Sequence, residues 1–148
     1  MDSYRAIENL IYRYAELIDA GRMDELAELF EHASVGAAGD EQPAVGSAAV
    51  RQMYQNSTRL YPCGTPRTRH MTTNVQIEVN EQNDYAHSRS CFNVMQQTDK
   101  LPLQMIISGR YEDEFEKVDG RWRFCKRRMH IDLMGDLSHH LLFDAATL

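Results

Sequence analysis

The hydrophobic pattern changes period once, near Thr68, and that switch decides what the chain can fold into. Before it, apolar residues recur at helical spacing. Ile7, Leu10, Ile11, Tyr14, Leu17 and Ile18 form one stripe, with Glu8, Arg13 and Glu16 between them, and Gly21 is a plausible stop. Leu26, Leu29 and Phe30 mark a second, shorter helix. Ser34 to Gln42, with Gly36 and Gly39, reads as a loop or short edge strand. Ala49, Val50, Met53 and Tyr54 predict a third helix, with Ser47 as its expected N-cap. Tyr61-Pro62-Cys63-Gly64-Thr65-Pro66 then breaks the chain.

After the switch the period is two. Met71, Thr73, Val75, Ile77 and Val79 alternate with polar residues, and Asn80 to Asn83 forms a turn. Tyr85 to Gln97 predicts a second strand and Leu103 to Glu116 a third, the latter with Met105, Ile107, Tyr111 and Phe115 on one parity. Asp119-Gly120 is a hairpin signal, and Arg121 to Leu133 makes a fourth strand around Trp122 and Phe124. Helices followed by a run of antiparallel strands argue for α+β, a cone-shaped half-barrel whose curved antiparallel sheet wraps the N-terminal helices. Strands of ~12 residues exceed the usual length, so bulges are expected. Such a sheet leaves a concave interior, a usual place for a small-molecule site.

The chain has 148 residues, enough for one domain with a sizeable core. The organisation expected is a single domain over 1–148, with its core at about 3–135 and a tail over 136–148. The net charge of −6 argues against a nucleic-acid partner, and Lys126-Arg127-Arg128 is too short a basic run to change that. No apolar run is long enough to span a bilayer, and no basic segment followed by an apolar one opens the chain. Cys63, Cys91 and Cys125 are an odd set without paired spacing, which reads as reduced thiols and leads us to expect a cytoplasmic protein.

Several segments, in order, resemble a known group. They are Tyr14-Ala15-Glu16-Leu17-Ile18-Asp19, Leu26-Ala27-Glu28-Leu29-Phe30, Arg69-His70-Met71-Thr72-Thr73-Asn74, Gly109-Arg110-Tyr111-Glu112-Asp113 and Asp119 to Arg127. The set is similar to SnoaL-like proteins of the nuclear-transport-factor-2-like superfamily, which have a cystatin-like fold. It most resembles the branch containing scytalone dehydratase, lindane dehydrochlorinase and the bile-acid dehydratases. The resemblance implies an Asp–His pair in a buried pocket, Asp19 ending the first helix and His70 opening the first long strand. It also implies a tyrosine at Tyr14 and an assisting arginine at Arg127. Asn93 stands where scytalone dehydratase has a second pocket histidine, and Ile18 where it has a tyrosine.

The chemistry implied needs both residue types. An imidazole titrates near pH ~6.5, and a carboxylate on its other nitrogen fixes the tautomer and stabilises the imidazolium that forms. The residues also carry plainer readings. Asp19, before Ala20-Gly21, alone would more often close a helix. His70 shares parity with Thr68, Thr72, Asn74 and Gln76, so it faces inward only if that polar side lines a pocket or a bulge intervenes. Tyr14 lies on an apolar stripe, and Arg127 lies in a basic run of a kind that is usually solvated.

The histidines form no metal-ligand spacing; His130-Ile131-Asp132 offers two possible ligands without a third, and His139-His140 lies in the tail. No phosphate loop, nucleophile elbow or dinucleotide fingerprint is present, so neither metal nor cofactor is expected. The leading expectation is a cofactor-independent lyase, dehydratase-like, or an isomerase acting on a small hydroxylated cyclic substrate. Its pocket would be lined by Leu10, Tyr14, Met53, Tyr54, Asn74, Asn93, Met105 and Ile107. The alternatives are a polyketide cyclase and a non-catalytic small-ligand-binding or assembly subunit like the small subunit of ring-hydroxylating dioxygenases, which would gain if Asp19 and His70 lie far apart. A homodimer or homotrimer is expected by analogy. Leu141, Leu142 and Phe143 of the tail would cover the pocket mouth, rest on a neighbouring subunit, or fray.

Overall fold

The computed structural model describes residues Met1–Leu148. Helix α1 spans Ser3–Asp19, with the Asp2 carboxylate accepting the Arg5 N–H at 2.9 Å as its cap. Its stripe of Ile7, Ile11, Tyr14, Leu17 and Ile18 is buried. The helix ends in a Schellman turn: the N–H of Gly21 returns to the Ile18 carbonyl and that of Arg22 to Leu17. Helix α2 covers Met23–Glu28, strands β1 and β2 cover Ser34–Ala37 and Ala44–Val45, and helix α3 covers Gly46–Ser57. Ser47 is not the cap of α3. Gly46, at φ +83°, turns the chain out of β2 straight into the helix, and no side chain caps it.

Four long strands follow: β3 (Thr68–Asn80), β4 (Tyr85–Gln96), β5 (Gln104–Val118) and β6 (Arg121–Met134). They form an antiparallel meander in a six-stranded, open sheet of order β2-β1-β6-β5-β4-β3. The sheet is not antiparallel throughout, because β1 runs parallel to β6, with Ser34 beside Lys126 and Ala37 beside Met129. A parallel partner needs a long crossover, and the whole of the chain between these two strands supplies it. Helix α1 lies across β3 and β6, and the core between helices and sheet includes Ile7, Leu26, Phe30, Phe115 and Phe124. Phe124 packs between Phe30 and Phe115, tilted to both with ring centroids 4.8 Å apart, and burying each such ring is worth about 1.5–3 kcal/mol.

Bulges interrupt the alternation in every long strand pair. The register shifts between Thr73 and Gln76, between Val94 and Met95, and twice along β5 and β6. Each extra residue moves the following side chains to the other face. In β3 the bulge falls at Asn74, whose φ of +55° is left-handed. His70 and Thr72 therefore face inward before it, opposite Val94 and Phe92, and Val75, Ile77 and Val79 face inward after it. The alternating residues Met71 to Val79 therefore do not share one face, and Met71 and Thr73 point out. In β5 the same effect separates Met105, which is exposed, from Ile107, Tyr111 and Phe115.

Candidate active site

Asp19 is the last residue of α1, where a carboxylate meets the negative end of the helix dipole. Three donors offset that cost. Oδ1 accepts the Thr68 hydroxyl at 2.8 Å and His70 Nδ1 at 2.6 Å, and Oδ2 accepts the His70 backbone N–H at 2.7 Å. The contact depends on Gly21. At φ +71° it turns the chain back, and a Cβ there would lie 2.0 Å from the Gly64 carbonyl oxygen. Only glycine lets the Tyr61–Pro66 loop come so close, and that loop delivers the start of β3 to the end of α1. With Asp19 holding Nδ1–H, the basic nitrogen of His70 is Nε2. Both side chains are largely withdrawn from solvent, at 7% exposure for His70 and 14% for Asp19.

His70 lines a mainly apolar cavity of about 300 Å³ between α1, α3, the concave sheet and the C-terminal tail. Tyr14 and Ile18 contribute from α1, Met53 and Tyr54 from α3, and Phe92, Ile107, Tyr111 and Met129 from the sheet. Leu137, His140, Leu141 and Phe143 close it from the tail. The Tyr14 and Tyr54 hydroxyls bond each other at 2.7 Å. Two hydroxyls sharing one bond leave one proton free to donate elsewhere. Burial raises the pKa of Tyr14, Tyr54 and Tyr111, so all three stay neutral donors at ordinary pH.

Arg127 is completely buried, not solvated as its basic run implied. In a strand, Lys126 and Arg128 alternate outward and Arg127 must face in. Its guanidinium forks onto Asp113 at 2.8 and 2.9 Å and lies 4.4 Å from the Tyr14 ring centroid and 3.7 Å from that of Tyr111. Burial opposes its charge, but the carboxylate and its hydrogen bonds prevail and the pKa rises. Burial likewise pushes Asp113 up while Arg127 pulls it down. Arg127 is not part of the cavity wall, so it reaches a bound molecule only through the tyrosines stacked on it.

The SnoaL-like domain family matches residues 1–128. The chain belongs to the SnoaL-like family. Among solved structures, this SnoaL-like chain is similar to a protein of Novosphingobium aromaticivorans named as a candidate scytalone dehydratase, at 28% identity and TM-score 0.70, covering 90% of this chain and 86% of that one. It is similar to a Mycobacterium tuberculosis protein of unknown function, solved with an aspartate replaced by asparagine, at 27% identity and TM-score 0.71, over 88% and 72%. A hexachlorocyclohexane dehydrochlorinase of Novosphingobium barchaimii shares the fold at 21% identity and TM-score 0.69, over 90% and 88%. Other similar structures are described as having a cystatin-like fold, one of them as NTF2-like. Among curated protein sequences, none matches.

Of the pocket residues expected for this SnoaL-like chain, Tyr14, Met53, Tyr54 and Ile107 line the cavity with His70. Four do not. Leu10 packs against the core from α1. Asn74 sits in the bulge on the outer side, near Arg89 and Arg110. Asn93 faces outward and accepts the Ser108 hydroxyl at 2.7 Å. Met105 is displaced to the outside by the bulge before Ile107. His130 and Asp132 gather no third ligand, and Asp132 is held by Arg110 at 2.8 and 3.0 Å.

Sequence reasoning missed Thr68, Tyr111 and His140. Thr68 stands two residues before His70 on the same face, which alternation alone could have indicated. Tyr111 reads from the sequence only as one residue on the apolar parity of its strand. His140 had no local signal beyond its position among Leu137, Leu141 and Leu142, because the contact that matters crosses the whole fold.

Proposed function

We propose that this protein is a cofactor-independent lyase that eliminates water from a small, uncharged, hydroxylated cyclic ketone. The observation that carries the reading is the 2.6 Å contact between His70 Nδ1 and Asp19 Oδ1, with His70 set in an apolar cavity wall. Asp19, fixed by three hydrogen bonds, orients the ring and stabilises it once protonated. His70 Nε2 takes a proton from the carbon beside the carbonyl. That C–H electron pair becomes a C=C bond as the neighbouring C–O bond breaks. The departing hydroxide takes the proton from His70, so water leaves and the ring is neutral again. The Tyr14–Tyr54 pair supplies a hydrogen bond to the carbonyl oxygen, where negative charge develops. The similarity to the candidate scytalone dehydratase supports the same class of reaction. The assembly-subunit alternative would have gained from a wide Asp19–His70 separation, and the contact does not supply one.

A suitable probe is 3-hydroxy-1-tetralone, whose loss of water gives fluorescent 1-naphthol. Wild type should release 1-naphthol, and His70→Ala or Asp19→Asn should lower the rate by about 10²–10⁴-fold while circular dichroism shows the fold retained. Exchange of the α-protons of 1-tetralone in D2O, followed by NMR, isolates the base from the leaving group. Full activity in both variants, or a wild type that binds 1-tetralone without exchanging any α-proton, would falsify the reading.

A further inference from the structure

His140 is a buried histidine in the cavity wall whose polar atoms nothing in the protein satisfies. Its residue is 7% exposed, its Nδ1 is fully buried without a partner, and its ring meets His70 edge-on at 6.4 Å between centroids. The segment that carries it is not loose. The His140 carbonyl accepts the Arg59 N–H at 2.8 Å, and the Leu142 N–H returns to the Ser57 carbonyl at 3.0 Å. The His139 carbonyl accepts both the Tyr61 hydroxyl and, at 3.1 Å, the Gln96 amide. The backbone is thus fully engaged on both sides of an imidazole that is not. A buried polar ring left unpaired is a cost to the fold, and the cavity that His140 lines is where a bound molecule can offer it a partner.

Charge narrows what that partner is. No lysine or arginine lines the cavity, and Arg127 beneath it is committed to Asp113. Burial and the nearby His70 hold the His140 pKa down at about 4, so the ring is a neutral donor and acceptor. An anion entering here would lose its hydration and meet no counter-charge.

We infer that His140 binds a second oxygen function of the substrate, so that the site selects uncharged cyclic molecules bearing two oxygens over those bearing one, and excludes carboxylates. The inference rests on the lyase reading for which molecule is the substrate. It is tested on ligands that do not react, so the two can fail separately. The tail is then part of the site, supplying a specificity-determining residue from outside the helices and long strands.

The test compares binding of 1,3-dihydroxynaphthalene, 1-naphthol and 1-naphthoate at neutral pH by titration calorimetry. Wild type should prefer the diol to the mono-ol by about tenfold, the worth of one good hydrogen bond, and should not bind the carboxylate. His140→Phe should lose that ratio while still binding 1-naphthol. His140→Gln, which keeps a donor and an acceptor, should largely restore it. A ratio unchanged in His140→Phe overturns the inference. So does an equal loss for both naphthols, which would mark a purely structural role, and so does a wild type that binds neither naphthol or binds 1-naphthoate tightly. Dehydration of the tetralone by wild type bears on the lyase reading alone.

Discussion

Two histidines share the cavity wall and are held in opposite ways. His70 gives its Nδ1 to a carboxylate that itself accepts three hydrogen bonds, whereas the ring of His140 makes no hydrogen bond. The difference has a consequence for stability. His140 faces His70 and Asp19, and its folded pKa of about 4 lies below its ordinary 6.5. Between those values the unfolded chain binds a proton that the folded one refuses, so this residue's contribution to stability is present above pH ~6.5 and is lost as pH falls toward ~4. Glutamine has no such titration. Lowering the pH from 7 to 5 should therefore cost wild type about 2 kcal/mol more than it costs His140→Gln, read from urea unfolding at the two pH values. Equal acid sensitivity in the two proteins would mean that the ring is not kept neutral. Arg127 shows the same economy of polar groups from the other side. A buried arginine is tolerated because Asp113 takes two of its nitrogens and aromatic rings take its face, which makes it a support for Tyr14 behind the cavity wall.

At the level of elements, the bulge at Asn74 carries the most weight. It is the single extra residue that lets His70 and Val75, which have opposite parity in the sequence, face the same interior. Its φ of +55° is left-handed, a conformation that asparagine accepts, glycine prefers and β-branched residues resist. Asn74→Gly should leave stability and tetralone turnover near wild type. Asn74→Val should cost about 1–2 kcal/mol in urea unfolding and reduce turnover by loosening the placement of His70. Equal behaviour of the two variants would show that this dihedral does not hold the bulge. The same element explains what could be read in advance. The helices and the existence of four long strands were legible because periodicity is a local property. The pairing of Asp19 with His70 was legible only through likeness to a family, since alternation placed His70 on either face. Asn74 and Met105 lie outside because of bulges, which are set by cross-strand fit that no local pattern records, whereas Asn93 follows the regular alternation of β4 between Phe92 and Val94. His140 was invisible for a similar reason, being brought to His70 by hydrogen bonds to α3, the Tyr61 loop and β4.

The whole molecule divides its interior in two. One end of the sheet is filled by Phe30, Phe115 and Phe124, and the other is left as a cavity roofed by the tail. The outer face of the sheet is divided as well. Much of it is laced by ion pairs such as Arg110 with Asp132 and Arg123 with Glu116. Toward the rim where β5 begins and β6 ends, however, Met105 and Leu133 stand exposed on that face, Leu133 at 69%. Surface apolar residues are ordinary one by one, but two near one end of the same sheet face are a cost in water of about 25 cal/mol per Å² and a gain for any partner that covers them. A second copy of the chain is the simplest partner, and ion pairs beside the patch would fix the register of a symmetric contact. Light scattering with size exclusion should then give a dimer or trimer for wild type. Met105→Asp combined with Leu133→Asp should reduce it to a monomer, because each buried carboxylate would lack a partner. Neither residue lines the cavity, so naphthol binding by that monomer should persist if each subunit holds a complete site. A wild type that runs as a monomer at high micromolar concentration, or a double variant that keeps its mass, would leave the rim as plain solvent-facing surface.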